Sequence, residues 1–246
     1  MAFGALLICF GGPAAAERGE IRLDNWFYYQ DNYDGSARWQ YRPRIFIPFD
    51  FASGWTFTQR IDLPFYYTDT VGADNPDGEW KVGASDFFVE EIVDLPASGN
   101  MRLRGSLRLV MPSGGGSPFG ADQWQLVPGF GGTWRYPDVW KGVTLSPYAR
   151  YFYGFDAASG VTTKRSWNLF PTVTFGLGGK WSMVLWPEQG ITYNYRSRKW
   201  FVPAEAMLTY RADKGLEYSF GGAAPIVNDD KSYRWLLQGR VTFFFK

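Results

Sequence analysis

The chain has 246 residues and a formal net charge of +1, from 25 basic against 24 acidic side chains. That length allows one large domain, and near neutrality excludes a nucleic-acid partner and a polybasic membrane-surface patch. Aromatic residues make up 20%, with 12 Trp, 15 Tyr and 21 Phe, yet charged residues are also 20% and mean hydropathy is −0.25, a balance foreign to a soluble core and natural to a barrel with apolar residues outside and polar ones inside.

The N-terminus reads MAFGALLICF and then GGPAAA before Glu17, which fits residues 1–16 as a secretory signal peptide with an A-x-A cleavage site, without the usual basic start. Its apolar run is too short to span a bilayer. Cys9 falls inside it and follows Ile8, where a lipoprotein signal carries a small residue, so it reads as an apolar leader residue. The exported chain, residues 17–246, is then free of cysteine, with no disulfide or thiolate chemistry.

No apolar run of 18 residues and no sustained helical period occurs; alternation with period two dominates. In MRLRGSLRLVM, Met101, Leu103, Leu107, Leu109 and Met111 share one face, and Arg102, Arg104, Ser106 and Arg108 the other. The same grammar runs through 55–67, 167–177 and 233–245; in the last, Tyr233, Trp235, Leu237, Val241, Phe243 and Phe245 oppose Arg234, Gln238, Arg240 and Thr242. The pattern predicts strands at 20–31, 38–50, 55–68, 80–93, 101–111, 123–135, 144–155, 165–177, 181–194, 200–211, 215–227 and 233–245. That is about twelve, the even count of single-chain bacterial barrels. The fold class expected is therefore all-β, a transmembrane antiparallel up-and-down β-barrel.

Tight reversals at 52–54, 178–180 and 212–214 follow even-numbered strands and read as periplasmic turns, whereas the longer polar segments 68–79, 112–122 and 156–164 follow odd-numbered ones. Pro43, Pro48, Pro64, Pro128, Pro147, Pro171, Pro187, Pro203 and Pro225 fall inside these strands and are expected at bulges or strand ends, because each removes a ladder donor. Trp55, Trp80, Trp124, Trp167, Trp181, Trp200 and Trp235 fall near strand ends, as an aromatic girdle at the lipid boundary requires. The ending VTFFFK resembles the aromatic-terminated last strand by which the barrel-assembly machinery recognises its clients, with Lys246 a departure.

Several segments in order, among them RIFIPF (44–49), WTFTQRIDLP (55–64), GASDF (83–87), RLVMP (108–112), WQLVPG (124–129), PYARYF (147–152), WSMVLWPEQGITYN (181–194), WFVP (200–203) and RVTFFF (240–245), resemble the outer-membrane "MetA-pathway of phenol degradation" or putative transporter proteins over nearly the whole exported length. The resemblance implies an outer-membrane barrel associated with passage of hydrophobic or aromatic compounds, and it brings no catalytic residues.

The chain contains no histidine, which excludes Ser-His-Asp hydrolysis and His-bound metals. Glu90 and Glu91 are neighbours on a strand and face opposite ways, and Asp229-Asp230 reads as a solvated loop, so neither pair suits acid–base work. The glycines of GFGG (129–132) and GLGG (176–179) lack the Lys-Ser/Thr end of a phosphate loop. No enzyme activity, cofactor or metal is expected.

The inward faces supply the candidate site. Arg42, Arg44, Arg60, Arg102, Arg104, Arg108, Arg150 and Arg240 are expected to line the lumen, with Asp62, Glu188, Glu205 and Glu217 as their partners. Most of the bases lie on strands two to seven and Glu188, Glu205 and Glu217 on strands nine to eleven, so closure predicts a positive wall facing a negative one. The functional expectation is a channel for passive passage of small solutes, hydrophobic or aromatic by the resemblance, in contact with outer-membrane lipid and lipopolysaccharide. A sealed structural or adhesion barrel with a salt-bridged interior is the alternative, and an enzyme acting without histidine a third.

Overall fold

The structure, a computed structural model, describes residues 17–245; the expected leader and Cys9 lie outside the described residues. Its strands are β1 (Glu17–Arg18), β2 (Ile21–Asp31), β3 (Ala37–Asp50), β4 (Thr56–Asp62), β5 (Phe65–Thr68), β6 (Lys81–Ala84), β7 (Phe88–Asp94), β8 (Met101–Val110), β9 (Gln123–Tyr136), β10 (Val143–Ala157), β11 (Arg165–Gly178), β12 (Trp181–Leu185), β13 (Ile191–Asn194), β14 (Lys199–Arg211), β15 (Leu216–Asn228) and β16 (Trp235–Phe245). Three passes are each made of two consecutive strands, β4–β5, β6–β7 and β12–β13, so β2 to β16 make a closed barrel of 12 antiparallel crossings. The last strand seals it: β16 pairs with β2 from Trp235 opposite Asp31 to Phe245 opposite Ile21.

Closure follows from the solvent. In hydrocarbon no water can satisfy a bare N–H or C=O, so the edges of a strand must be paired or shielded by other protein groups. Alternation then sorts the side chains. On β8, Leu103, Leu107 and Leu109 are exposed on the outside, while Arg108 and Val110 are buried within the barrel. Two polar pairs interrupt the outer wall, each held by a local hydrogen bond: Tyr41 Oη donates to Asn25 Oδ1 at 2.8 Å, and Gln59 Nε2 to Glu91 Oε1 at 3.0 Å.

Exposed aromatic rings gather toward the strand ends. Near the long loops Trp235 meets Tyr29, Tyr29 meets Trp39, Tyr67 meets Trp80 and Tyr193 meets Trp200, at centroid distances of 4.6–5.1 Å. Near the short turns Trp181 packs on Tyr210 at 4.7 Å. Gly54, Gly178 and Gly179 take positive φ in two of those turns, where a side chain would strain the backbone.

Two expectations need correction. Only some prolines lie at irregularities: Pro64 and Pro187 sit in the breaks of split passes, and Pro203 faces Pro225 beside a register shift. Pro43, Pro48, Pro128, Pro147 and Pro171 lie inside strands, and for some the ladder yields locally: Leu63, beside the first break, donates to the Pro43 carbonyl. Tyr233 is not on the lipid face; it is buried, because residues 231–234 precede β16 and fold Tyr233 over the barrel mouth onto Phe201, at 5.2 Å.

The lipid-facing assignment is testable at Leu107. Leu107→Arg is expected to destabilise the barrel in lipid vesicles by about 2–4 kcal/mol, read by denaturant titration of tryptophan fluorescence. An unchanged midpoint would mean that this face meets water.

Candidate functional site

The pass β12–β13 breaks at Trp186–Gly190, and this short segment bends into the lumen. Its backbone is held there by Glu205 on β14, whose Oε2 accepts from the amides of Glu188 (3.0 Å) and Gln189 (2.8 Å). Trp186 Nε1 donates to the Pro203 carbonyl at 2.7 Å, and Gln238 Nε2 satisfies the other Glu205 oxygen at 2.6 Å. The local sequence explains the bend, since Pro187 cannot extend a ladder and Trp186 takes a positive φ of 50°.

The bend delivers the Glu188 carboxylate to the opposite wall. Arg42 Nη2 reaches Glu188 Oε2 at 2.6 Å, and Arg44 grips both oxygens, at 2.7 and 2.9 Å. From there a continuous chain of ion pairs runs along the far wall. Asp62 accepts from Arg44 Nε (2.9 Å) and, as a bidentate pair, from Arg60 Nε (2.7 Å) and Nη2 (2.9 Å). Arg60 Nη1 continues to Glu90 Oε2 at 3.1 Å, and Arg108 Nη2 reaches the same oxygen at 2.8 Å. Arg150, on β10, lies across from Glu90 at 3.8 Å. Glu188 to Arg44 and Arg150 to Glu90 both join strands that are not neighbours in the sheet, so the network crosses the bore. Asp62 is 0% and Glu90 1% exposed, and charges so buried persist only because each oxygen has a partner.

Aromatic rings cover the flat faces of these guanidiniums: Arg108 lies 3.8 Å from the Phe88 centroid, and Arg150 is 5.0 Å from Tyr148 and 4.9 Å from Phe170. On the short-turn side of the network is a cavity of about 230 Å³, roofed by Arg44, Arg60, Glu90, Arg150 and Glu188, with Phe46, Tyr148 and Phe170 in its walls and Arg22 and Arg104 below. On the long-loop side the interior holds two apolar clusters, one around Tyr28, Phe201, Tyr233 and Leu236 and another of Phe88, Val110 and Val127 against Phe152, among buried polar side chains such as Gln123, Gln125 and Ser166.

Of the residues expected to line the lumen, Arg42, Arg44, Arg60, Asp62, Arg108, Arg150 and Glu188 come together in this network. Glu205 is not an ion-pair partner of an arginine; it anchors the backbone that carries Glu188. Arg104 pairs locally with Asp94, at 2.7 Å, and Arg240 with Glu217. Arg102 joins no ion pair among the described residues. The basic wall is also not uniformly positive, because Asp24, Asp62, Glu90 and Asp94 point inward from it. Glu90, the hub of one half of the network, was missed as a site residue; its place opposite Arg60 and Arg108 in register is the signal that finds it.

No protein-family model and no curated protein matches the chain. Solved structures do. The chain is similar to the COG4313 outer membrane channel from Pseudomonas putida F1, with a TM-score of 0.68 and 12% identity over 96% of this chain and 98% of that one. The beta domain of the Bordetella autotransporter BrkA follows at TM-score 0.59 and 15% identity, covering 93% of this chain and 100% of that one. The KdgM porin, solved with disordered oligogalacturonate, gives 0.55 and 11% identity, covering 92% and 99%. The shared feature is the outer-membrane barrel fold, and with its closed wall and apolar outside this barrel belongs in the bacterial outer membrane.

Removing Glu188 strips Arg42 and Arg44 of their shared acceptor. Glu188→Gln is expected to cost about 3–5 kcal/mol in unfolding free energy, as breaking a buried pair does. Lys199→Ala, which opens an exposed pair with Asp230, is expected to leave the unfolding midpoint in place; equal losses from the two changes would contradict a load carried across the bore.

Proposed function

We propose that the chain is a narrow outer-membrane channel for passive passage of small solutes, hydrophobic or aromatic ones in particular, with the cross-lumen network as the screen they pass. The observation that carries this reading is the cavity of about 230 Å³ abutting the network. An apolar cavity of about 150 Å³ accommodates benzene, so a single-ring solute fits the available volume. Aromatic walls and guanidinium edges together suit a ring bearing a polar group.

The likeness to outer-membrane channels and the segments resembling phenol-degradation transporters support the same class of role. In this reading residues 1–16 are the cleaved leader, the indoles at the strand ends sit as a girdle at the headgroups, and β16, ending in Phe243-Phe-Phe245, is the strand read by the barrel-assembly machinery.

The continuity of the ion-pair chain favours a second reading, a sealed barrel whose interior charges only satisfy one another. Single-channel recording separates the two. Glu188→Ala unpins the network and leaves the bore more positive, so a channel is expected to show higher conductance and a reversal potential shifted toward anion preference in a KCl gradient. Absence of current in both wild type and Glu188→Ala, with solute uptake unchanged on deletion of the protein, would establish the sealed barrel.

A further inference from the structure

The cross-lumen network is short of negative charge. Its five guanidiniums, Arg42, Arg44, Arg60, Arg108 and Arg150, share the three carboxylates of Asp62, Glu90 and Glu188. Glu205, the next acid in the bore, has its oxygens engaged by Gln238 and two backbone amides. The shortage falls on Arg150. Each of the other four donates to a carboxylate at 2.6–3.1 Å, whereas Arg150 donates no hydrogen bond among the described residues, and its Nε is buried without a partner. Its nearest acid, Glu90, already accepts from Ser106 on one oxygen and from Arg60 and Arg108 on the other.

The side chain is nonetheless held in place. Its guanidinium lies over the rings of Tyr148 and Phe170, at 5.0 and 4.9 Å from their centroids. Glycines let those rings lie close against the wall and the bent segment. A Cβ at Gly131 would fall 2.7 Å from the Tyr148 ring, and one at Gly190 would fall 2.9 Å from that of Phe170. The Tyr148 hydroxyl is also bonded to Ser106. Arg150, Tyr148 and Phe170 all border the cavity of about 230 Å³ on the short-turn side of the network. A buried cation without an acceptor is costly. Water in the cavity can accept its N–H bonds but cannot supply the missing charge; an anion does both.

We propose that Arg150 anchors a monocyclic aromatic carboxylate in this cavity, with the carboxylate on the guanidinium edge and the ring against Tyr148 and Phe170. This names the solute class of the channel reading and rests on that reading for its role in transport. A carboxylate presents two oxygens that match a guanidinium edge in two parallel bonds, and the aromatic flank favours a ring behind them. The volume exceeds the roughly 150 Å³ of a cavity that holds benzene, so one ring fits. Because Arg150 has no hydrogen-bonded carboxylate of its own, binding need not displace one. A neutral phenol would leave the charge unbalanced, and a small inorganic anion would leave the rings without a partner.

Calorimetric titration of the purified barrel in detergent with benzoate, benzyl alcohol, acetate and phosphate tests the site. Benzoate is expected to saturate a single site per chain, and the other three to bind about tenfold more weakly or worse, since each lacks either the charge or the ring. Arg150→Gln is expected to weaken benzoate by about tenfold or more and to leave benzyl alcohol unchanged. Heat-modifiable migration on gels checks that the variant is folded, and the ligand series on wild type decides the matter if it is not. Benzoate bound no tighter than benzyl alcohol by wild type, or equally well by wild type and folded Arg150→Gln, would overturn the site. Acetate or phosphate bound as tightly as benzoate would make it a plain anion site and end the aromatic assignment. Current and flux keep the two readings apart. Arg150-dependent benzoate binding in a barrel that passes neither KCl current nor benzoate into liposomes would sustain the site and end the channel; current without Arg150-dependent binding would sustain the channel and end the site.

Discussion

A strand in hydrocarbon has no water to turn to, and this requirement that every backbone N–H and C=O find a protein partner governs the molecule. It forces the ladder to close between β16 and β2. Closure combined with the two-residue period forces half of every strand's side chains inward. The arginines of the alternating segments are therefore enclosed by the fold itself, and once enclosed they need carboxylates. The ion-pair network is a consequence of closure as much as a functional addition to it.

The network also shows where the wall is allowed to fail. A regular β12–β13 pass would leave its side chains at the wall, too far away to meet Arg42 and Arg44 on the opposite side. Breaking the ladder at Trp186–Gly190 moves a carboxylate inward, and Glu205 compensates by accepting the amides that the break sets free. The break between β6 and β7 follows the same rule differently: Asp86 accepts the amides of Gly114 and Ala121 from the loop 112–122. Two of the three breaks are thus matched by an acidic side chain close at hand, and at the third the Leu63 amide turns to the Pro43 carbonyl.

This explains which parts were legible in the sequence. The twelve crossings were readable because lipid outside and charge inside imprint a strict alternation, clearest between Met101 and Met111. The breaks inside three of those crossings were not: at LPF and WPEQG the apolar rhythm continues on either side and only proline marks the break, and Ser85–Phe87 carries no proline at all. Arg44, Arg60 and Asp62 could be assigned inward from their own strands, but their partnerships depend on register between strands, which a single strand does not encode. Glu90 was overlooked for that reason: considered beside Glu91 it is half of an unusable pair, whereas beside Arg60 and Arg108 it is a hub. Glu205 meets two backbone amides and Gln238 in place of an arginine, a partnership that leaves no trace in side-chain patterning because the amides belong to a bent segment.

The basic groups of the screen are all arginines, Arg42, Arg44, Arg60, Arg108 and Arg150, and the choice follows from geometry. A guanidinium donates along its edge while its face stays free to stack, so one side chain can hold a carboxylate and lie against a ring at once. Arg108 does both, with Glu90 on its edge and Phe88 on its face, and Arg60 does so between Asp62 and the same ring. A lysine ammonium would satisfy the carboxylate and leave the ring without its partner. Charge is thus kept in the bore with much of its surface already covered by aromatic carbon. A solute moving past the screen would meet ring edges and the margins of guanidiniums, a surface suited to an amphipathic ring and poorly suited to a strongly hydrated ion.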